Sequence, residues 1–155
     1  MFFNLIWKFK KYFESKAILN LKKKFKIPDS VEIFYPIVYV GNITIGENTY
    51  LMKYCELVTG ADSTITIGSN CAIAKNVTIR TLTHKKGEDL FRNKNLTEKN
   101  TSIGNECWIG ANVFIKEGIT LGNKCIIGSN SVVTKSFPDN SIIGGCPAKL
   151  IGINE

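Results

Sequence analysis

Residues 103–133 read IGNECWIGANVFIKEGITLGNKCIIGSNSVV, and every sixth residue is aliphatic: Ile103, Ile109, Ile115, Leu121, Ile127 and Val133. Upstream, Ile67, Ile73 and Ile79 keep the same phase, while Ile45, Leu51 and Leu57 repeat at six in a shifted one. Glycine often follows the aliphatic, as at Gly46, Gly68, Gly104, Gly110, Gly122 and Gly128. The fourth residue after it is small or β-branched: Thr49, Cys55, Ala61, Cys71, Val77, Cys107, Val113, Ile119, Cys125 and Ser131. A period of six is neither the helical 3.6 nor strand alternation. It suits a short strand followed by a corner, with the aliphatic inward, a smaller second inward slot, and Gly or Asn tolerating the corner backbone. Three such faces close a triangular coil, and stacked coils bury one continuous core.

The repeat breaks between Ile79 and Ile103, a gap of four sixes, so the phase returns unchanged. Residues 85–101, KKGEDLFRNKNLTEKNT, are polar and aperiodic. That is the signature of a loop, about 84–102, extruded from one corner, and long loops in compact domains tend to carry function. His84, the chain's single histidine, stands at its start.

The charge is equally uneven. The chain of 155 residues carries a net +7. Residues 1–27 hold eight lysines and one acid, Glu14; the remainder balances 12 bases against 12 acids. The division expected is a basic arm, 1–27, and a neutral repeat domain, 28–155. Phe2, Ile6, Phe9, Phe13, Ala17 and Leu21 are spaced by three or four, which predicts an amphipathic helix that Pro28 ends. Its stripe would cap the open end of the coil stack or lie on an anionic membrane. A neutral body without a reading motif argues against nucleic acid. The longest charge-free run in the first half, residues 33–46, is 14 residues with Pro36 and Gly41 inside it, too short to span a bilayer. The start has the wrong order for a secretory signal, so the expectation is a cytoplasmic protein, with the arm available to the inner membrane face.

Five cysteines form no C-x-x-C pair, and Cys55, Cys71, Cys107 and Cys125 fall in the small inward slot, where a thiol acts as a small hydrophobe. With one histidine, no metal site is expected.

Residues 108–152, WIGANVFIKEGITLGNKCIIGSNSVVTKSFPDNSIIGGCPAKLIG, resemble the hexapeptide-repeat acyltransferases. The WIG, VVTK and GG-x-PAK-x-I elements match in order and spacing. The likeness reaches back to about Ala61 and is closest to the galactoside and maltose O-acetyltransferases and their polysaccharide-modifying relatives. It implies an all-β, left-handed parallel β-helix; the hand comes from the family alone, since parallel crossovers are ordinarily right-handed. It also implies a homotrimer with acetyl-CoA between neighbouring helices, and no metal.

Residue by residue, His84 matches the catalytic histidine, a general base toward a sugar hydroxyl. Glu88, Glu98 or a backbone carbonyl would orient its other ring nitrogen. Trp108 matches an aromatic near the catalytic centre and the pantetheine arm. Ala111, Ser129, Thr134, Lys135 and Lys149 match CoA-binding positions, the first two through backbone groups and the lysines through phosphates. Tyr54 stands where the sugar branch carries an acceptor-contacting Asn, and Asp62 matches an acceptor-contacting Asp. The function implied is acetyl transfer to a sugar hydroxyl, of a bacterial surface polysaccharide or its precursor. N-acetylation of an amino sugar and a non-catalytic trimeric scaffold stand as alternatives. The carbonic anhydrases of this fold need three histidine ligands, which this chain lacks.

Overall fold

The structure, a computed structural model, describes residues 2–87 and 95–155, with side chains from residue 11 onward. It begins with helix α1 (Phe2–Phe25) and continues as short strands wound into coils. The first coil is β1 (Glu32–Ile33), β2 (Val38–Val40) and β3 (Asn42–Ile45); the second is β4 (Tyr50–Leu51), β5 (Glu56–Val58) and β6 (Thr64–Ile67). The third holds β7 (Ala72–Ile73) and β8 (Thr78–Arg80), then an excursion, β9 (Leu82–His84) and β10 (Leu96–Glu98), before β11 (Thr101–Ile103). β12 (Trp108–Ile109), β13 (Phe114–Ile115) and β14 (Thr120–Leu121) make the fourth; β15 (Ile126–Ile127) and β16 (Val132–Val133) open the fifth. β17 (Ser141–Gly144) and β18 (Lys149–Ile153) finish the chain.

The coils stack into three sheets: sheet A (β1-β4-β7-β12-β15-β17-β18), sheet B (β2-β5-β8-β13-β16) and sheet C (β3-β6-β11-β14). All neighbours pair in parallel except the closing β17–β18 ribbon. This is a left-handed parallel β-helix. A regular coil advances 18 residues, as Trp108 pairs with Ile126. Ile45 pairs with Ile67, so the second coil carries four extra residues at its B–C corner, the physical origin of the phase shift seen upstream.

The repeat's aliphatics are the core. Leu51, Leu57, Ile73, Ile79, Ile109 and Ile115 have no exposed surface. Burying one such side chain contributes about 1.5–3 kcal/mol, and stacking aligns them into continuous columns. The small slots are buried too, with one exception: Ala61 is exposed, and the register puts Ile65, fully buried, in the slot that stacks with Ile43 and Thr101. The four-residue insertion displaces the pattern there. Thr49, Cys71, Cys107, Cys125 and Ser141 form one inward column. Each hydroxyl or thiol bonds a corner carbonyl, for example Cys107 Sγ to Gly122 O at 3.2 Å. The corners need left-handed backbone, which Asn76, Asn112 and Asn130 adopt in successive coils at φ near +60°.

Helix α1 packs across the first coil, but on a rotated stripe. Ile18, Leu21 and Phe25 lie against the core, Phe25 on the Tyr39 ring at 4.4 Å between centroids. Phe13, expected on the inner stripe, is 64% exposed, and Tyr12 is 60% exposed. The side chains of Phe2, Ile6 and Phe9 lie outside the described residues. Of the expected stripe, Leu21 packs on the core and Ala17 is half-buried, while the packed contacts that run through Ile18 and Phe25 leave Phe13 outside them.

Candidate active site

The third coil makes the site. After Thr81, fully buried and held by its N–H to Val58 O at 3.2 Å, the chain leaves the core. It returns at Lys99, whose N–H donates to Thr81 O at 2.8 Å and closes the base of the excursion. Between these points β9 and β10 pair antiparallel, Leu82 opposite Glu98, Thr83 opposite Thr97 and His84 opposite Leu96. His84 is therefore the last rung of a short hairpin standing off the B–C corner, its imidazole exposed.

The imidazole lines a cavity of ≈ 310 Å³. Leu82, Leu96, Phe114 and Val132 form its apolar wall; Thr134, Arg80, Lys116 and Glu117 supply polar groups. The cations are balanced: Lys116 pairs with Glu117 at 2.7 Å, and Arg80 with Glu56. A base beside an apolar wall, on a hairpin with a closed foot, can accept a proton from a hydroxyl placed in the cavity.

Of the three groups offered to orient His84, Glu98 is engaged elsewhere. Glu98 sits at the foot of the hairpin, opposite Leu82, and its carboxylate accepts from Asp62 N–H at 3.0 Å and Ser63 Oγ at 2.8 Å. Glu88 lies outside the described residues.

Most of the other expected residues fall on two edges of sheet B, and Trp108 and Lys149 on sheet A. Thr134 lines the His84 cavity, with Lys135 next in the chain; Lys135 Nζ lies 5.4 Å from the Phe137 ring centroid. Asp62 is at the same B–C edge, its N–H bound to Glu98. Tyr54, Ala111 and Ser129 are at the opposite, A–B edge. Trp108 stands on the outer face of sheet A, 57% exposed, and Lys149 is exposed on β18. The Ala111 N–H is spent on Ser129 Oγ at 3.1 Å, and its carbonyl accepts from Asn130 at 2.8 Å. Tyr54 occupies left-handed backbone, φ 65°, where the three stacked corners have Asn. Glu106 and Lys124 do the same elsewhere, so the backbone does not single Tyr54 out.

Sequence reasoning passed over Phe114, Val132 and Leu96, the cavity wall. The first two occupy outward strand positions of the repeat, and an outward apolar residue beside the interruption was the available signal.

Four cysteines are buried and free, and Cys146 is exposed. Burial pushes the Cys55 and Cys125 thiols up, and a hydrogen bond to Cys71 together with burial raises Cys107. Among the described residues no group of His, Cys, Asp and Glu could hold a metal.

A family described as bacterial transferase hexapeptide (six repeats) matches residues 100–135. The chain is 39% identical over 113 residues to the galactoside O-acetyltransferase of Escherichia coli K12, covering 73% of this chain and 55% of that protein. It thus spans little more than half of that relative's length. It is 30% identical to an E. coli K12 protein named for acetylation in colanic acid biosynthesis, covering 85% of this chain and 68% of the relative. A solved galactoside acetyltransferase in complex with coenzyme A superposes with a TM-score of 0.71 at 35% identity, over 81% of this chain and 64% of the other. This chain, then, belongs to the hexapeptide-repeat transferase family.

Proposed function

We propose that the protein is an acetyl-CoA-dependent O-acetyltransferase acting on a carbohydrate hydroxyl, of a surface polysaccharide or its precursor. The observation that carries this is His84, held on a closed-foot hairpin at the rim of an apolar cavity. A sugar hydroxyl is a poor nucleophile at neutral pH. The imidazole takes its proton as the oxygen attacks the thioester carbonyl; the C–S bond then breaks, and the proton passes to the departing thiolate. No acyl-enzyme is needed. Relatives named for galactoside and colanic acid acetylation, and one solved with coenzyme A, support the substrate classes.

The working unit is a homotrimer. The expected site residues lie on opposite edges of sheet B and on sheet A, which one chain does not unite. A cyclic arrangement sets the B–C edge of one subunit beside Trp108, Ala111 and Ser129 of the next. The surfaces suit it: Tyr50, Trp108, Ile126 and Ile142 line the outside of sheet A, whereas sheet C shows Asn42, Thr44, Thr64, Thr66 and Thr120. Lys135 and Lys149 supply the cations for the CoA phosphates.

The arm gives the reaction a place. Its packed stripe ends near Ile18, leaving Tyr12, Phe13 and Leu19 exposed among lysines, a composition suited to an anionic bilayer surface. Among the described residues no helix is long and apolar enough to cross a membrane.

The test is incubation with acetyl-CoA and a panel of neutral sugars, amino sugars and oligosaccharides, with mass analysis before and after mild alkali. An alkali-labile acetyl supports the reading. An alkali-stable acetyl confined to amino sugars contradicts O-transfer, and no product together with no CoA binding contradicts catalysis.

A further inference from the structure

The hairpin that carries His84 has a problem of support. An isolated two-stranded ribbon is at best marginally stable in water, and a catalytic base must be held to a fraction of an ångström. Main-chain closure at Lys99 fixes the foot, but not the twist of the ribbon above it.

Glu98 supplies a second attachment. It forms the first rung of the ribbon, two residues below the His84–Leu96 rung. Its carboxylate points back into the B–C corner of the preceding coil. There one oxygen accepts both the Asp62 N–H, 3.0 Å, and the Ser63 hydroxyl, 2.8 Å. The chain of donors continues inward. Ser63 Oγ and Thr81 Oγ1 are 2.6 Å apart, and the Gly60 N–H lies 3.2 Å from each of them. With Ser63 donating to the carboxylate, Thr81 donates to Ser63, so the protons run one way, from the buried corner to Glu98. Ser63 and Thr81 are buried, at 1% and 0% exposure. Hydrogen bonds to an ionised carboxylate are about twice as strong as neutral ones.

The corner is shaped for the carboxylate. A Cβ on Gly60 would stand 2.0–2.1 Å from the Glu98 carboxyl atoms, so any larger residue there evicts it. The turn that receives it comes from the four-residue insertion of the second coil, the same insertion that upset the repeat. Thus the insertion has an identified occupant, and the segment bearing Asp62 is tied to the hairpin bearing His84.

We propose that Glu98 is a positioning residue for His84, acting through the carboxylate bridge to residues 60–63. This rests on His84 being the base, but the bridge has its own readout. His84 is the chain's single histidine, so its ring protons give an unambiguous NMR signal.

The experiment compares wild type, Glu98→Gln, Gly60→Ala and, as a control, Glu106→Gln, whose exposed carboxylate lies 4.0 Å from Lys124 at another corner. Each is measured for kcat, KM for acetyl-CoA, thermal midpoint and the His84 ring resonances. Expected for both Glu98→Gln and Gly60→Ala is a kcat fall of about tenfold or more, with KM for acetyl-CoA within about twofold. The ring signals shift or broaden in both, and the control changes nothing. Unchanged ring signals and kcat in Glu98→Gln overturn the proposal, as does a loss of kcat that only tracks a lowered thermal midpoint. If His84→Ala keeps full activity while Glu98→Gln still moves the ring signals, the base assignment fails and the bridge stands.

Discussion

At the scale of the residue, the thiols show how far a pattern can be read. Cys55, Cys71, Cys107 and Cys125 were legible as inward because they recur at a fixed offset from the aliphatic, and all four are buried. Burial denies reagent access to all four, including Cys71, whose thiol the hydrogen bond with Cys107 lowers to about 7. In native protein only Cys146 should react rapidly with an aromatic disulfide reagent, the other four appearing on denaturation; two or more fast thiols would contradict the buried column. Ala61 was misread because an offset carries no information about an insertion inside the corner. The partner of Glu98 was invisible for a similar reason. Asp62 and Ser63 stand 36 and 35 residues away, and only coil stacking brings them under the hairpin.

At the scale of the element, the coil is a unit that tolerates additions at one corner and little change at the others. Removing a stacked aliphatic leaves a void in a column with few ways to collapse. Ile127→Ala should cost about 2–5 kcal/mol in chemical unfolding. The glycines after the aliphatics meet the next coil's backbone. A Cβ at Gly104 would lie 2.6 Å from Asn123 N and Gly122 C. Gly104→Ala should therefore destabilise by about 1–3 kcal/mol, whereas Gly87→Ala, with nothing near its Cβ, acts only through its φ of +85°. Strand positions were legible from period and phase. The β9–β10 pairing was not, because those residues are polar and aperiodic, and pairing register is settled by the foot bonds rather than by hydropathy.

At the scale of the whole molecule, the charge is divided from the chemistry. Residues 1–27 carry the excess of +7, and the coils are neutral. The arm's helical nature was legible from spacing; which stripe packs was not, since the coil end it covers is a tertiary surface. Its two halves should separate experimentally. Deleting residues 2–16 leaves Ile18, Leu21 and Phe25 in place and should preserve thermal stability while abolishing sedimentation with phosphatidylglycerol vesicles. Deleting residues 1–27 uncovers Tyr39, removes buried Ile27 and should lower stability as well. Equal vesicle binding by wild type and the shorter deletion would contradict the membrane reading.

The central claim is that His84 is the proton acceptor of an acetyl transfer. The most direct measurement is the release of free CoA thiol from acetyl-CoA, with and without a carbohydrate acceptor, by wild type and by His84→Ala. The account predicts acceptor-dependent release by wild type and a loss of about 10²–10⁴-fold in kcat for His84→Ala, with acetyl-CoA affinity little changed. Equal acceptor-dependent turnover by the two proteins would contradict it.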